Sequence, residues 1–400
     1  MSRARALFVD DEPRILDGLR RSLRGKRGEW DMAFVSDGAE ALELLAREPH
    51  DVVVSDMRMP GMDGAELLTA VSRRHPEVAR VVLSGHIEPA AAIQVAVAGH
   101  RFLTKPSDAD SLIAVIEQLL VRTSGAHRSE ARRIAGAVRA VPTLPEHTDG
   151  IVGLLAPDAN LAYAVQMAMH DVGLTAKLLQ LSNSRFFGAR PRNSSVESIV
   201  NAMGVPMVQA VAGAGHALRP ASAWDPAIEQ HLHMAWRHAV ATACLVDFVA
   251  SPANRPHAQA AALLQDVGRL VCLATAGEER ESAVDLASET RDGVPFRDVG
   301  VELLHLWGLP APIVTAVAQR DLEQSPEPSG LGVAAAVRTA HLLIQRTESA
   351  CSAAGSQAGR DDELARLLAH PQLRAQDVDW RRAADEASHQ AGSWRRRGRH

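Results

Sequence analysis

Three carboxylates, a hydroxyl and an amine stand out because each follows a short apolar run. Asp10 and Asp11 follow 6–9, Asp56 follows 52–55, Ser84 follows 81–83, and Lys105, with Pro106 behind it, follows 101–103. If those runs are strands of one parallel sheet, their carboxyl ends share an edge and the five side chains converge. Carboxylates grouped without a counter-charge raise one another's pKa steeply, so the group calls for a divalent cation. Mg2+ suits it, since it takes one or two carboxylates, keeps several waters and accepts a phosphate oxygen. Asp56 could then attack phosphorus while the metal and Lys105 neutralise the equatorial oxygens in transfer. Taken singly, each residue has a plainer role: Asp11, ahead of Glu12-Pro13, could cap a helix, Ser84-Gly85 could be a turn, and Lys105-Pro106 could end a strand. Recurrence at successive strand ends favours the shared site.

The elements that must position these residues are legible as alternation. Runs at 6–9, 32–35, 52–55, 81–83 and 101–103 are separated by helical periodicity at 14–23, 39–46, 65–71, 90–97 and 111–120, which predicts a doubly wound α/β fold on a five-stranded parallel sheet. Residues 122–140, rich in Arg, Ser, Ala and Gly, fit either a further helix or a solvated linker. From Val141 the strand signal ceases, and Ala/Leu/Val patterns over 161–181, 196–218, 228–248, 258–274, 301–306, 313–320 and 331–346 predict an all-α domain. Beyond it, 356–360 reads as a loop, 361–369 and 380–390 as short helices, and 395–400 as a frayed basic end. The expected division is 1–121, a linker over 122–140, a helical domain over 141–345 and an extension over 346–400.

Of the 400 residues 46% are apolar and 23% charged, which excludes disorder over most of the length. The formal charge is −5, and no region is basic enough to imply nucleic acid by its charge alone. Cys244, Cys272 and Cys351 lie far apart without CxxC spacing, indicating neither a disulfide framework nor a thiolate zinc site. The opening residues have too short an apolar run for a signal peptide, and no charge-free stretch of about 18 apolar residues occurs. A cytoplasmic protein in a reducing compartment, with no membrane partner, is the expectation.

Residues 5–121 resemble the receiver domain of two-component response regulators. Phe8-Val-Asp10-Asp11-Glu-Pro matches the acidic pair, and Val54-Ser-Asp56-Met-Arg58-Met-Pro60-Gly-Met-Asp63-Gly matches the phosphoacceptor strand and the turn behind it. Leu83-Ser84-Gly85-His86 matches the switch hydroxyl, and Phe102-Leu103-Thr104-Lys105-Pro106 carries the switch aromatic, the lysine and a proline usually cis in that family. The resemblance implies a flavodoxin-like fold in which Asp56 receives phosphate from a histidine kinase. It also implies that Asp11, Asp56 and the Arg58 main-chain carbonyl contact Mg2+ directly, with Asp10 acting through water. Ser84 and Lys105 would then move towards the phosphoryl oxygens and Phe102 would turn into the space left.

Among the later residues there is no P-loop, no cyclase-type run and no basic recognition helix with a flanking turn. Val141-Pro-Thr-Leu-Pro145, Asp171-Val-Gly-Leu-Thr through Asn183-Ser184, Ala235-Trp-Arg-His238, Gln265-Asp266-Val-Gly268 and Leu306-Trp307-Gly308-Leu309-Pro310 together resemble the HDOD domain, a catalytically silent relative of the HD phosphohydrolases. Val172-Gly173 departs from the proline common after the aspartate. By that resemblance His238 aligns with the first HD metal ligand, the His-Asp pair has become Gln265-Asp266, and later histidines are replaced by Phe296 and by Gln319-Arg320. An amide is a poor divalent-metal ligand, phenylalanine none, and arginine brings positive charge where a cation should bind. His231 and His233 read as structural rather than as a cluster with His238, and His170-Asp171 as a turn or cap. The expected function is therefore a phosphorylation-controlled adaptor. A sensor histidine kinase and an effector protein are its partners, a second copy of the chain is an open alternative, and neither nucleic acid nor membrane is expected. The rival is a metal-dependent HD-type phosphohydrolase or cyclic-dinucleotide phosphodiesterase.

Overall fold

The computed structural model describes residues 3–85, 99–105, 108–120, 127–139, 141–143, 151, 153–183, 195–213, 218–220, 226–276, 284–286, 288–324, 330–349, 357–376 and 378–397. The chain divides into two compact units, one of Met1–Ala140 with Gln180–Arg192 and Glu302–Gly308, the other of Val141–Leu179, Asn193–Val301 and Leu309–His400.

The first unit is built on β1 (Ala4–Val9), β2 (Trp30–Val35), β3 (Val52–Asp56), β4 (Ala79–Ser84) and β5 (Arg101–Thr104), in the order β2-β1-β3-β4-β5. Every pairing is parallel, and this is the flavodoxin-like strand order. A parallel sheet is covered on both faces, which is why β1, β3 and β4 read as unbroken apolar runs and bury Leu7, Phe8, Val53 and Val81 completely. The helices are α1 (Pro13–Ser22), α2 (Gly38–Arg47), α3 (Gly64–Arg74), α4 (Ala109–Leu120) and α5 (Arg128–Ala137). The helix expected at 90–97, His86 and Pro106 lie outside the described residues.

Local chemistry starts these helices. Asp37 accepts from the amides of Ala39 and Glu40 at 2.7 and 3.1 Å, and Asp63 makes a capping box with Glu66 at the head of α3. Asp11 is not a cap: Glu12 holds the N-cap position of α1 without a side-chain bond, and Pro13 opens the first turn. Within 122–140 the helical alternative is the observed one, since α5 buries Ala131, Ile134, Ala135 and Gly136.

The second unit is mainly helical. Pro226–Val249 is its long central helix, packed by Arg255–Leu264, Val333–Ser349 and Trp380–Arg397. Periodicity alone merges helices that the structure separates. The 161–181 pattern breaks at Asp171, whose carboxylate accepts from the Leu174 amide at 2.7 Å, so His170-Asp171 is the turn and cap expected. The 196–218 pattern breaks at Gly204, at φ +74, and 258–274 breaks at Gln265-Asp266. Strands do occur after Val141, contrary to expectation: Val141–Thr143 pairs in parallel with Leu218–Pro220, and Val284–Asp285, Thr290–Arg291 and Val294–Pro295 form a small antiparallel ribbon. Two or three residues, several of them proline, leave no period to detect. Likewise 357–360 is the start of the Gln357–Leu368 helix rather than a loop, and the 380–390 helix runs on to Arg397. No helix among the described residues is long and apolar enough to cross a membrane.

Replacing Asp63 by Ala should remove the half of the capping box in which its carboxylate accepts from the Glu66 amide, leaving the bond from the residue-63 amide to Glu66, and lower the first unit's unfolding free energy by about 1 kcal/mol. Urea titration followed at Trp30 would show the shift, with Asp63→Asn recovering most of it.

Candidate functional site

At the carboxyl edge of the first sheet, Asp10 follows β1, Asp56 ends β3, Ser84 ends β4 and Lys105 follows β5. Asp10 and Asp56 are buried, at 1% and 8% exposure. The Lys105 ammonium lies between them, 2.6 Å from Asp10 Oδ2 and in direct contact with Asp56 Oδ1. The free carboxylate oxygens are also engaged: Asp10 Oδ1 accepts from the Glu12 amide at 3.0 Å and Asp56 Oδ2 from the Arg58 amide at 2.8 Å. Burial works against the Lys105 charge, but the two carboxylates outweigh it and hold its pKa above the ordinary lysine value. A sheet edge thus presents two buried anions shared by one ammonium, with a half-exposed Asp11 beside them.

Ser84 and Phe102 are buried nearby in the sheet, at 4% exposure each. The Ser84 carbonyl accepts from the Lys105 amide at 2.6 Å, and the Leu83 carbonyl from the Met57 amide at 3.1 Å, so the lysine, the end of β4 and the turn after Asp56 are tied through backbone. No set of three His, Cys, Asp or Glu groups among the described residues forms a metal cage. The structure brings Asp10, Asp56 and Lys105 together, and it leaves Asp11 adjacent in sequence without a bond to the other two.

The residues aligned with an HD centre also meet, within the second unit. His238 Nδ1 is 3.0 Å from Glu348 Oε2 and its Nε2 is 2.8 Å from His341 Nδ1, which in turn lies 3.1 Å from Gln265 Oε1. Asp266 is bonded by Arg320 Nη1, and Arg320 also donates to both carboxylate oxygens of Asp321, at 2.9 and 3.0 Å. Burial opposes the Arg320 charge, yet the carboxylates of Asp266, Asp321 and Glu289 raise its pKa above the usual arginine value. Phe296 is buried as an apolar side chain. His231 bonds its own helix at Ala227 and His233 lies 3.6 Å from Glu229, the structural roles expected of them.

Sequence reasoning missed His341 and Glu348. Both sit in the Val333–Ser349 helix, seven residues apart and so on one face; a polar pair recurring at that spacing was the available signal. Burial first, then His238 and the guanidinium groups of Arg320, Arg338 and Arg360, holds the His341 pKa well below 6.5.

The strand order and the carboxylate–ammonium edge define the first unit's class. The response regulator receiver domain model matches residues 6–117, and the HDOD domain model matches 141–322. The chain thus carries a region that matches the receiver domain and, after it, a region that matches the HDOD domain. The DNA-binding transcriptional regulator NtrC of Escherichia coli K12 is 38% identical over 121 residues, which are 30% of this chain and 25% of NtrC. The hydrogenase transcriptional regulatory protein HoxA of Cupriavidus necator is 41% identical over 117 residues, 29% of this chain and 24% of HoxA. The chain thus spans about a quarter of the length of these curated relatives. Among solved structures, the signal receiver domain of an HD domain-containing protein from Pseudomonas fluorescens Pf-5 is 30% identical with a TM-score of 0.29, covering 30% of this chain and 95% of that one.

A histidine held neutral in the fold and ordinary when unfolded makes the unfolded state bind the extra proton as pH falls below about 6.5, so stability drops. The second unit should lose stability between pH 7 and 5, and His341→Gln should flatten that slope by up to about 1.4 kcal/mol per pH unit. His257, also lowered by burial, supplies a residual slope. Urea titrations at three pH values measure it, and an unchanged slope would exclude His341 as the source.

Proposed function

We propose that Asp56 is the phosphoacceptor for a histidine kinase and that the HDOD domain acts by docking to an effector protein, without catalysis of its own. The functional division follows the expected one: receiver over 1–121, connector over 122–140, HDOD over 141–345 and extension over 346–400. The observation that carries the first half is the Lys105 ammonium shared by the buried carboxylates of Asp10 and Asp56. An Asp56 oxygen attacks phosphorus, the bond from phosphorus to the donor's imidazole nitrogen breaks, and Lys105 stands ready to pair with the arriving oxygens. Ser84 and Phe102 are the residues that register the change.

The donor set fits Mg2+. Its groups are all oxygen, two buried carboxylates share one ammonium with Asp11 next to Asp10 in sequence, and Mg2+ needs one or two carboxylates rather than an all-protein cage. Asp11, Asp56 and the Arg58 main-chain carbonyl would hold the ion, with Asp10 reached through water. When bound it neutralises charge on the phosphoryl oxygens.

Incubation with acetyl phosphate and Mg2+ should place one phosphoryl group on the wild-type chain and none on Asp56→Asn. Phosphorus uptake by that variant would refute the assignment.

Catalytic silence of the HDOD domain is supported by Arg320. Its fixed positive charge engages Asp266, the last carboxylate of the HD pair, and so serves the role a metal would serve. Asp56→Asn protein, freed of the receiver's phosphoryl chemistry, should therefore carry no stoichiometric transition metal and turn over no cyclic dinucleotide. Bound metal with turnover lost in Asp266→Ala would establish the hydrolase instead. Cytoplasmic location and a kinase partner follow from this reading.

A further inference from the structure

The connector helix α5 is held by the receiver at close quarters. Gly136 lies so near the α3–β4 connection that a Cβ there would meet the Pro76 carbonyl oxygen at 1.8 Å. Two arginines fasten the helix. Arg132 donates Nε to the Glu77 carbonyl and Nη1 to the Leu119 carbonyl, each at 3.0 Å, and so also serves the end of α4. Arg80, from β4, donates Nη2 to the Gly136 carbonyl at 2.7 Å. That carbonyl belongs to the last turn of α5, where helical C=O groups have no partner within the helix and attract positive charge. Arg80 is 1% exposed, its Nη2 also lies 2.7 Å from His100 Nε2, and its Nη1 donates to the Val78 carbonyl at 3.4 Å. A buried cation persists only where such bonds are met.

β4 is consequently gripped at both ends. At one end the Ser84 carbonyl accepts from the Lys105 amide. At the other is Arg80, four residues back, about 13 Å along a strand. Every residue between is buried and paired on both sides by β3 and β5. On the far side of α5, residues 138–140 alone separate it in sequence from Val141–Thr143, the opening strand of the HDOD domain.

We propose that α5 is a working part of the receiver and that Arg80 is the residue through which phosphorylation at Asp56 reaches it. A pull on Ser84 displaces β4, Arg80 moves with the strand, and the Gly136 carbonyl follows at the end of α5 that leads into the HDOD domain. This rests on Asp56 being the phosphoacceptor.

Hydrogen exchange by mass spectrometry on the full chain, with and without Mg2+ and beryllofluoride, tests it. In the wild type, exchange should change at 52–56, 79–84 and 128–137. In Arg80→Met, exchange over 128–137 should rise about tenfold without beryllofluoride, and the beryllofluoride response there should vanish while that at 52–56 survives. Should Arg80→Met lose the sheet, seen as fast exchange over 4–9, Gly136→Ala decides: it displaces α5, keeps Arg80, and should silence 128–137 in the same way. A wild-type response at 52–56 with 128–137 unmoved, or a full response over 128–137 in the folded variant, overturns the relay. No response anywhere defeats the phosphoacceptor reading, and the relay with it.

Discussion

The receiver depends on one ammonium shared by two buried carboxylates. Asp10 and Asp56 come from adjacent strands, and two carboxylates so deeply buried are compensated by the charge and hydrogen bonds of one cation between them. The cation arrives from after β5, two strand positions from β3 or about 10 Å away, a reach that the four-carbon stem of lysine and the turn after Thr104 supply. The same sharing makes the pair convertible. On the proposed reading, a new anionic oxygen on Asp56 would give Lys105 a better partner than either carboxylate alone, so the contact that stabilises the resting site would also respond to its modification.

The HDOD domain solves a similar problem in a way that does not convert. Asp266 is also a buried carboxylate, but its partner is the guanidinium of Arg320, which is always charged and also donates to both carboxylate oxygens of Asp321. Arg338 then donates to the Arg320 carbonyl at 2.9 Å and to Glu363 at 2.8 Å, tying the Val333–Ser349 and Gln357–Leu368 helices into the network. A Lys105 that can exchange partners suits a switch; an arginine locked by several acceptors suits a scaffold.

How much of this was legible depends on how each residue is buried. Parallel strands covered on both faces become apolar runs, so β1, β3 and β4, and with them Asp10, Asp56 and Ser84, could be placed from sequence. The helix α5 could not be settled because Ile134 is the one large apolar side chain on its buried face, the rest being Ala131, Ala135 and Gly136, small residues that allow close approach but give little apolar period. Asp171 and Gly204 end helices inside long apolar patterns, where periodicity sees only continuity. His341 was hidden for the opposite reason: apart from Glu348 two turns on, nothing near it in sequence hints at a role, and its contacts come from residues 76 and 103 positions away.

The character of α5 decides what kind of message can leave the receiver. A solvated tether transmits only proximity, because a flexible chain of that length forgets the orientation of its origin within a few residues. A helix fixed by Arg80, Arg132 and the Gly136 approach keeps that orientation up to Ala137, three residues from the next domain's first strand. On the proposed relay, a displacement of β4 would reach the residues that lead into the next domain through α5 itself. The cost of burying Arg80 is understandable on that basis: an apolar side chain would fill the space, but it would not bind the end of a helix.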